Sequence, residues 1–339
     1  MAPEDVKRSP RQLAGRLLRW DVIVIALLLV VFRAGATTTS DFATSDNLSF
    51  AFGDLSEIAL IALPMTLLVV AGEVDLSVAS VLGMSSALFG SLWDAGWPIE
   101  SIIPLLVVVG AVAGLVNGLL VTRLGLPSLA VTIGTLTLYR GLAYVVLGTK
   151  AVAEFPQNYA DLATKTIPGT PIPYPFALFI VAAVVTAIVL HATGAGRAIF
   201  AIGAQEEAAF FAGIRVKRIK LLLFVLSGVV AAFAGAIYTL RYGSARADNG
   251  LGMELAVIAA VLLGGVDFDG GRGTLAGVIA GVLLIGLLRN LLMLRDVATE
   301  IQSIVTGLLL IVSVLTPRII AGVREARRHP RGSISASSQ

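Results

Sequence analysis

The chain contains no cysteine, and histidine occurs only at His191 and His329. The first absence excludes a disulfide framework, thiolate metal sites and cysteine nucleophiles. His191 closes a hydrophobic run and His329 lies in a basic tail, so they give no basis for a histidine metal site. Charge is scarce as well: 14% of the 339 residues are Asp, Glu, Lys or Arg, against about 25% in an ordinary soluble domain. So little charge does not cover a globule in water. The sequence is filled instead by apolar residues, 57% of the total, with a mean hydropathy of +0.90. They run in long blocks, as helices in lipid do. The net charge of +3 does not point to nucleic acid, because the basic residues flank hydrophobic runs and do not form one amphipathic face.

A helix needs roughly 20 apolar residues to cross a bilayer core. On that basis the chain reads as an all-α, polytopic transmembrane bundle of about ten spans with interrupted helices. The spans are Leu17–Ala34, Ser56–Gly72, Leu76–Trp93, Ile99–Val121, Leu126–Leu147, Tyr174–His191, Leu221–Leu240, Met253–Leu263, Thr274–Leu294 and Ile301–Leu315. The eighth is too short to cross alone and reads as a half-helix or re-entrant segment. The first run lies behind Lys7, Arg8, Arg11, Arg16 and Arg19 and lacks a small-residue cleavage site, so it reads as an uncleaved span. A tail over 1–16, a membrane domain over 17–318 and a basic, disordered tail over 319–339 complete the expected organisation. Positive charge near span ends marks the cytoplasmic side. Arg197, Arg215, Lys217, Arg218 and Lys220 place residues 193–220 there, together with both termini. Asp41, Asp46, Asp54, Asp94 and Glu100 fall on the opposite side, and Arg33, Arg140 and Lys150 fit that pattern less well. The loop Gly148–Pro173 is too small to be a folded substrate-binding domain.

Charges that interrupt hydrophobic blocks are expensive and therefore informative. The first such place runs from Gly72 through Glu73 and Asp75 to Ser77. It reads either as a broken helix near a transport path or as a capped turn. The second runs from Gly264 and Gly265 through Asp267 and Asp269 to Gly273. Its Gly264-Gly265-Val266-Asp267 looks like Gly72-Glu73-Val74-Asp75, and duplicated interrupted helices are common in transporters. Close packing through small residues is the alternative. No Gly-Lys-Ser/Thr follows these glycines, so they form no nucleotide-binding loop. The third place lies between Gly194 and Ile214. There a short helix, Gln205–Ala212, is too apolar for an exposed loop, which implies a partner or an interfacial helix on lipid. Asn117 and Thr132 are polar residues inside apolar runs. They are candidates for a pathway or for interhelical hydrogen bonds.

At these residues the chain resembles the membrane subunits of carbohydrate-uptake ABC transporters of the ribose type, and most of all those for rhamnose and for the sugar-like signal autoinducer-2. The likeness spans roughly 50–318. Glu73-Val74-Asp75-Leu76-Ser77-Val78-Ala79-Ser80 resembles the family's Gly-Ile-Asp-Leu-Ser-Val-Gly-Ser. The segment Pro127 to Thr135 is similar to its Pro-Phe-Ile-Ala-Thr-Leu-Gly-Thr. Gly264 to Gly273 resembles its Gly-Gly-Thr-Ser-Leu-Ser-Gly-Gly-Arg-Gly, with Asp267 and Asp269 in place of hydroxyl residues. Tyr242 to Asp248 carries the likeness to the rhamnose and signal branch.

The resemblance implies a bacterial inner-membrane permease without a catalytic site or cofactor of its own. ATP would be bound by a separate cytoplasmic ATPase, a second permease subunit would complete the pathway, and an extracytoplasmic binding protein would deliver the sugar. It further implies docking of the ATPase at Arg197, Gly203, Glu206, Ala209, Gly213 and Ile214. Gly72, Asp75, Ser77, Asn117, Thr132, Gly264 and Gly265 remain candidates for the path or for helix breaks. The competing readings are an ion-coupled secondary transporter, which needs membrane-buried acids, and an ABC permease for branched-chain amino acids.

Overall fold

A computed structural model describes residues 20–328 of the chain, so the tail at 1–16, His329 and the last residues lie outside it. Among the described residues every regular element is a helix, and two isolated bridges, Val152 with Ala245 and Thr166 with Pro173, are the only β-type pairings. The helices are α1 (Trp20–Thr38), α2 (Ser45–Val70), α3 (Val78–Asp94), α4 (Ile99–Thr122), α5 (Ser128–Leu147), α6 (Gln157–Thr164), α7 (Tyr174–Ala192), α8 (Gly194–Ala204), α9 (Glu206–Phe211), α10 (Val216–Tyr242), α11 (Met253–Leu263), α12 (Leu275–Met293) and α13 (Thr299–Arg328).

Helix α2 forms the axis of the bundle. From Leu55 to Val70 each of its residues is buried, which follows from a sequence that is apolar all round and must be covered on every side. The peripheral helices behave in the opposite sense. α1, α4, α5 and α7 turn large apolar side chains outward, among them Val30, Val108, Val145 and Val181. Such a surface is stable only where the solvent is hydrocarbon. Within the bundle, small residues bring backbones together. Gly110 and Gly114 of α4 lie against Gly228 and Phe224 of α10, where an added Cβ would collide with main-chain atoms, and Gly118 lies against the Leu221 side chain.

Among the described residues seven helices are long and apolar enough to cross a membrane: α1, α2, α4, α5, α7, α10 and α12. The expectation of about ten is not reached by length and composition. α3 has 17 residues, α11 has 11, and the apolar part of α13 is Thr299–Ser313. At 1.5 Å per residue, α11 covers only about half of a hydrocarbon core. The remainder of α13 continues past Arg318 to Arg328 as helix. The loop Gly148–Pro173 holds α6 and folds back on the bundle, with Phe155 edge-on to Phe89.

Of the helix boundaries that lie outside their expected positions, two matter here. α2 begins at Ser45, not Ser56, because Thr44 caps it: the Asn47 N–H donates to Thr44 Oγ1 at 3.3 Å. α10 runs on to Tyr242. The longer α10 carries Arg241 into the bundle, where its Nε donates to Glu57 Oε1 of α2 at 2.9 Å. Glu57 is thus an acid buried within a membrane-spanning helix. The outlier Arg140 is also explained. It is half-buried and donates to the carbonyls of Ala247, Asn249 and Ala79 at 2.6, 2.9 and 3.0 Å. Its charge ties helices to a loop, so it carries no sidedness signal.

Candidate functional site

The turns between helices gather at two ends. One end holds Arg197, Arg215, Lys217 and Arg218 and is called basic below. The other holds Asp54, Asp94 and Asp248 and is called acidic. At the basic end α2 stops at Ala71. Gly72 adopts a left-handed φ of 80°, its N–H donates to Val69 O, and the Glu73 N–H donates to Leu68 O, both at 2.9 Å. This pair of bonds is a helix stop that a residue with a Cβ resists.

The chain then turns inward. Asp75 is buried, and its Oδ1 accepts from the Ser77 N–H at 3.0 Å and from the Ser77 hydroxyl at 2.6 Å. Its Oδ2 accepts from the Ser227 hydroxyl of α10 at 2.8 Å. Asn117 Nδ2 of α4 donates to Ser77 Oγ at 2.8 Å, and Thr132 Oγ1 of α5 donates to Val74 O at 3.3 Å. Four of the sequence candidates, Asp75, Ser77, Asn117 and Thr132, thus converge on one buried network that joins three helices to the break after α2. Burying a carboxylate is costly unless donors surround it, and here they do. The oxygens are occupied within the protein, which makes this cluster a latch.

The second glycine place proves to be a helix end of the same kind. α11 stops at Gly264, and Gly265 takes a φ of 87° with its N–H on Leu262 O at 2.9 Å. The structural match to Gly72 is therefore Gly265, one position later than the sequence likeness aligns them. Gly264 packs against Gly277 and Val278 of α12, and Trp20 Nε1 donates to Leu263 O at 2.8 Å beside Gly265. Among the described residues Asp267 has no buried side-chain partner corresponding to those of Asp75. It accepts from the nearby Asp269 N–H at 3.2 Å.

These segments meet the third place, the α8–α9 region. The Gly271 N–H donates to Val70 O at 2.8 Å, and Gly203 sits so close to that bond that a Cβ would fall on Val70 O and Gly271 N. Lys220, in the first turns of α10, completes the junction. Its Nζ lies 2.6 Å from Glu73 Oε1 and 2.6 Å from Glu206 Oε2. One buried ammonium thus joins the turn after α2 to the short helix α9. A cavity of about 400 Å³ opens beside it, walled by Glu73, Arg123, Ser128, Glu206 and Lys217.

The sequence-expected docking residues divide by position. Arg197, Glu206 and Gly213 are exposed, and Gly213 ends α9 with a φ of 82°. Ala209 is buried and Ile214 packs against the core, so neither is presented to a partner. Phe210 and Phe211 are presented instead, 64% and 84% exposed. Sequence reasoning noticed the apolar character of this helix without finding which side faced out. Lys220 was also missed, because nothing along the chain links residue 220 to residues 73 and 206. His191 proves to be an acceptor at the start of α12, from the Leu275 N–H at 3.3 Å.

A family model described as branched-chain amino acid transport system / permease component matches residues 47–314. Among curated proteins, the chain is 33% identical over 307 residues to the autoinducer 2 import system permease protein LsrD of Photorhabdus luminescens, covering 89% of this chain and 92% of that one. It is 32% identical over 302 residues to the protein of the same name from Yersinia enterocolitica, covering 87% and 91%. No solved structure matches the chain.

Proposed function

Because the chain belongs to the transport-system permease component family, we propose that it is the membrane-spanning subunit of a binding-protein-dependent ABC importer for a monosaccharide-like substrate, of the class to which rhamnose, ribose and autoinducer 2 belong. The relatives are named for autoinducer 2 import, which favours this class over the branched-chain amino acids of the family description. The observation that carries the mechanism is the junction at the basic end. A short helix with two exposed phenylalanines is fixed through Lys220 and Gly203 to the stop of the most buried helix. Exposed aromatic side chains on a fixed helix are what a partner buries.

In this reading the basic end is cytoplasmic, following the positive-inside rule, and the protein lies in the bacterial inner membrane with both termini in the cytoplasm. α3, α11 and α13 complete ten crossings, their shortness offset by burial among neighbours. A cytoplasmic ATPase docks on α9 and supplies ATP hydrolysis, so this chain binds no cofactor. When the ATPase closes, α9 moves, and the Lys220 clamp passes the displacement to the Gly72 turn and the Asp75 latch. A second permease subunit, identical or related, completes the pathway, and an extracytoplasmic binding protein delivers substrate to the acidic end.

The test is reconstitution in proteoliposomes with the ATPase, second permease and binding protein, measuring uptake of labelled ribose, rhamnose, autoinducer 2 and leucine. Uptake of a sugar-like substrate that needs ATP inside and the binding protein outside is expected. Phe211→Asp should reduce it by weakening docking. Uptake driven by an ion gradient without ATP would establish the secondary-transporter reading, and ATP-driven uptake of leucine alone would establish the amino-acid permease.

A further inference from the structure

At the acidic end, opposite the α8–α9 junction, a cavity of about 300 Å³ lies between α2, α10, α12 and the loop 243–252. Its wall is polar and aromatic. Tyr238 and Tyr242 stand with ring centroids 4.4 Å apart. The Tyr242 hydroxyl donates to Asp54 Oδ1 at 2.8 Å, and the Arg241 guanidinium lies 4.1 Å from the Tyr242 ring centroid while Glu57 holds its other side. The ring is therefore fixed by a hydrogen bond at its tip and a cation against its face. Across the loop, Arg246 donates to Asp248 at 2.8 Å, and this bond holds the Asp248 carboxyl below the usual carboxylate range. Arg289 also lines the cavity. It is half-buried on a membrane-spanning helix and has no hydrogen bond or ion pair among the described residues. An unpaired guanidinium in such a place is expensive, and it leaves its donors available to a guest.

We propose that this cavity is a receiving site for a neutral polyhydroxylated molecule, with the half-exposed Tyr242 ring as its stacking surface and Arg289 and Asp54 as its hydrogen-bond donor and acceptor. The charges around it balance: Asp54, Glu57 and Asp248 against Arg241, Arg246 and Arg289. A net anion meets the carboxylates and a net cation meets the guanidiniums, whereas hydroxyl groups, which both donate and accept, meet suitable partners on either wall. The C–H face of a sugar ring suits an aromatic side chain that is rigid and half-exposed. The size suits one small molecule. The site belongs to the proposed importer and rests on that reading. It adds to it a place in the permease itself where substrate pauses after release by the binding protein.

The experiment has two arms, both on the complete permease pair in lipid nanodiscs or proteoliposomes. Uptake by the full transporter identifies which of ribose, rhamnose or cyclised autoinducer 2 is carried. Saturation-transfer NMR then measures binding of that same compound to the permease pair without binding protein. Arg289→Gln and Asp54→Asn, each checked for an unchanged size-exclusion profile, should raise the half-saturating concentration about tenfold, the loss of one charged hydrogen bond. Tyr242→Ala should remove the signal. Uptake by the wild type with equal NMR binding in wild type and variants overturns the cavity assignment and leaves the importer reading standing. No uptake of any of the three overturns both. If Arg289→Gln weakens attachment of the binding protein and leaves sugar binding unchanged, the cavity is a protein-docking surface and the proposal fails.

Discussion

Helices α2 and α11 end alike and then part company. α2 is buried from Leu55 to Val70 and α11 from Ala256 to Leu263, each stops on a left-handed glycine, and each delivers the chain to the basic end. After Gly72 the chain turns inward and Asp75 collects donors from its own turn and from α10. After Gly265 it turns outward, the Asp267 carboxyl accepts one local bond from the described residues, and Phe268 and Asp269 are exposed. The cap decides where a buried helix stops. The side chains that follow decide whether the stop is locked to its neighbours. One break is therefore a latch and the other a loop, and the bond from Gly271 to Val70 O ties the loop to the end of α2.

The contrast can be broken most strongly at Lys220. Lys220→Met leaves Glu73 buried without its counter-charge and frees α9 from the turn. Unpairing a buried charge costs about 3 kcal/mol or more, to be read as a fall in unfolding free energy in detergent. Loss of ATP-coupled uptake should accompany it. A change below about 1 kcal/mol would place the clamp among weak surface pairs.

Asp75→Ala should come next, at about 2–3 kcal/mol, because it strands the Ser77 and Ser227 donors in a buried site. Comparable losses at Asp75 and Asp267 in the same unfolding assay would abolish the distinction between latch and loop.

The two glycines give a finer comparison. Alanine at Gly72 meets nothing closer than 4.0 Å, so its penalty is the left-handed backbone alone, about 1–2 kcal/mol. Alanine at Gly265 adds a collision with the Trp20 ring. Gly265→Ala should therefore destabilise more, and it alone should shift tryptophan emission. The smallest effect is expected from Asp267→Ala, within about 0.5 kcal/mol by thermal unfolding.

Much of this was legible along the chain. Blocks such as Tyr174–Ala192 and Met253–Leu263 announce buried or lipid-facing helices, and Gly72 with its following acids announces a break. The convergence of Asp75, Asn117 and Thr132 was accessible only as suspicion, because each polar residue inside an apolar run needs a partner but the sequence does not say which. Helix limits were less legible. Thr44 caps α2 well before the apolar block begins, and α10 runs two residues past its expected end, which is what carries Arg241 to Glu57. The spacing of Gly110, Gly114 and Gly118 was a readable signal for close packing that went unread.

By itself the sequence determined the solvent. Its scarcity of charge and its long apolar blocks require hydrocarbon around the helices, since transfer energies depend on composition and not on arrangement. It also determined the stops, because a glycine's freedom at positive φ is a local property. Tertiary structure alone decided which charges found each other: Lys220 with Glu73 and Glu206, Arg241 with Glu57, and Arg289 with none of the described residues. Ion pairs act over a few ångströms, and only the packing of distant helices sets separations that small.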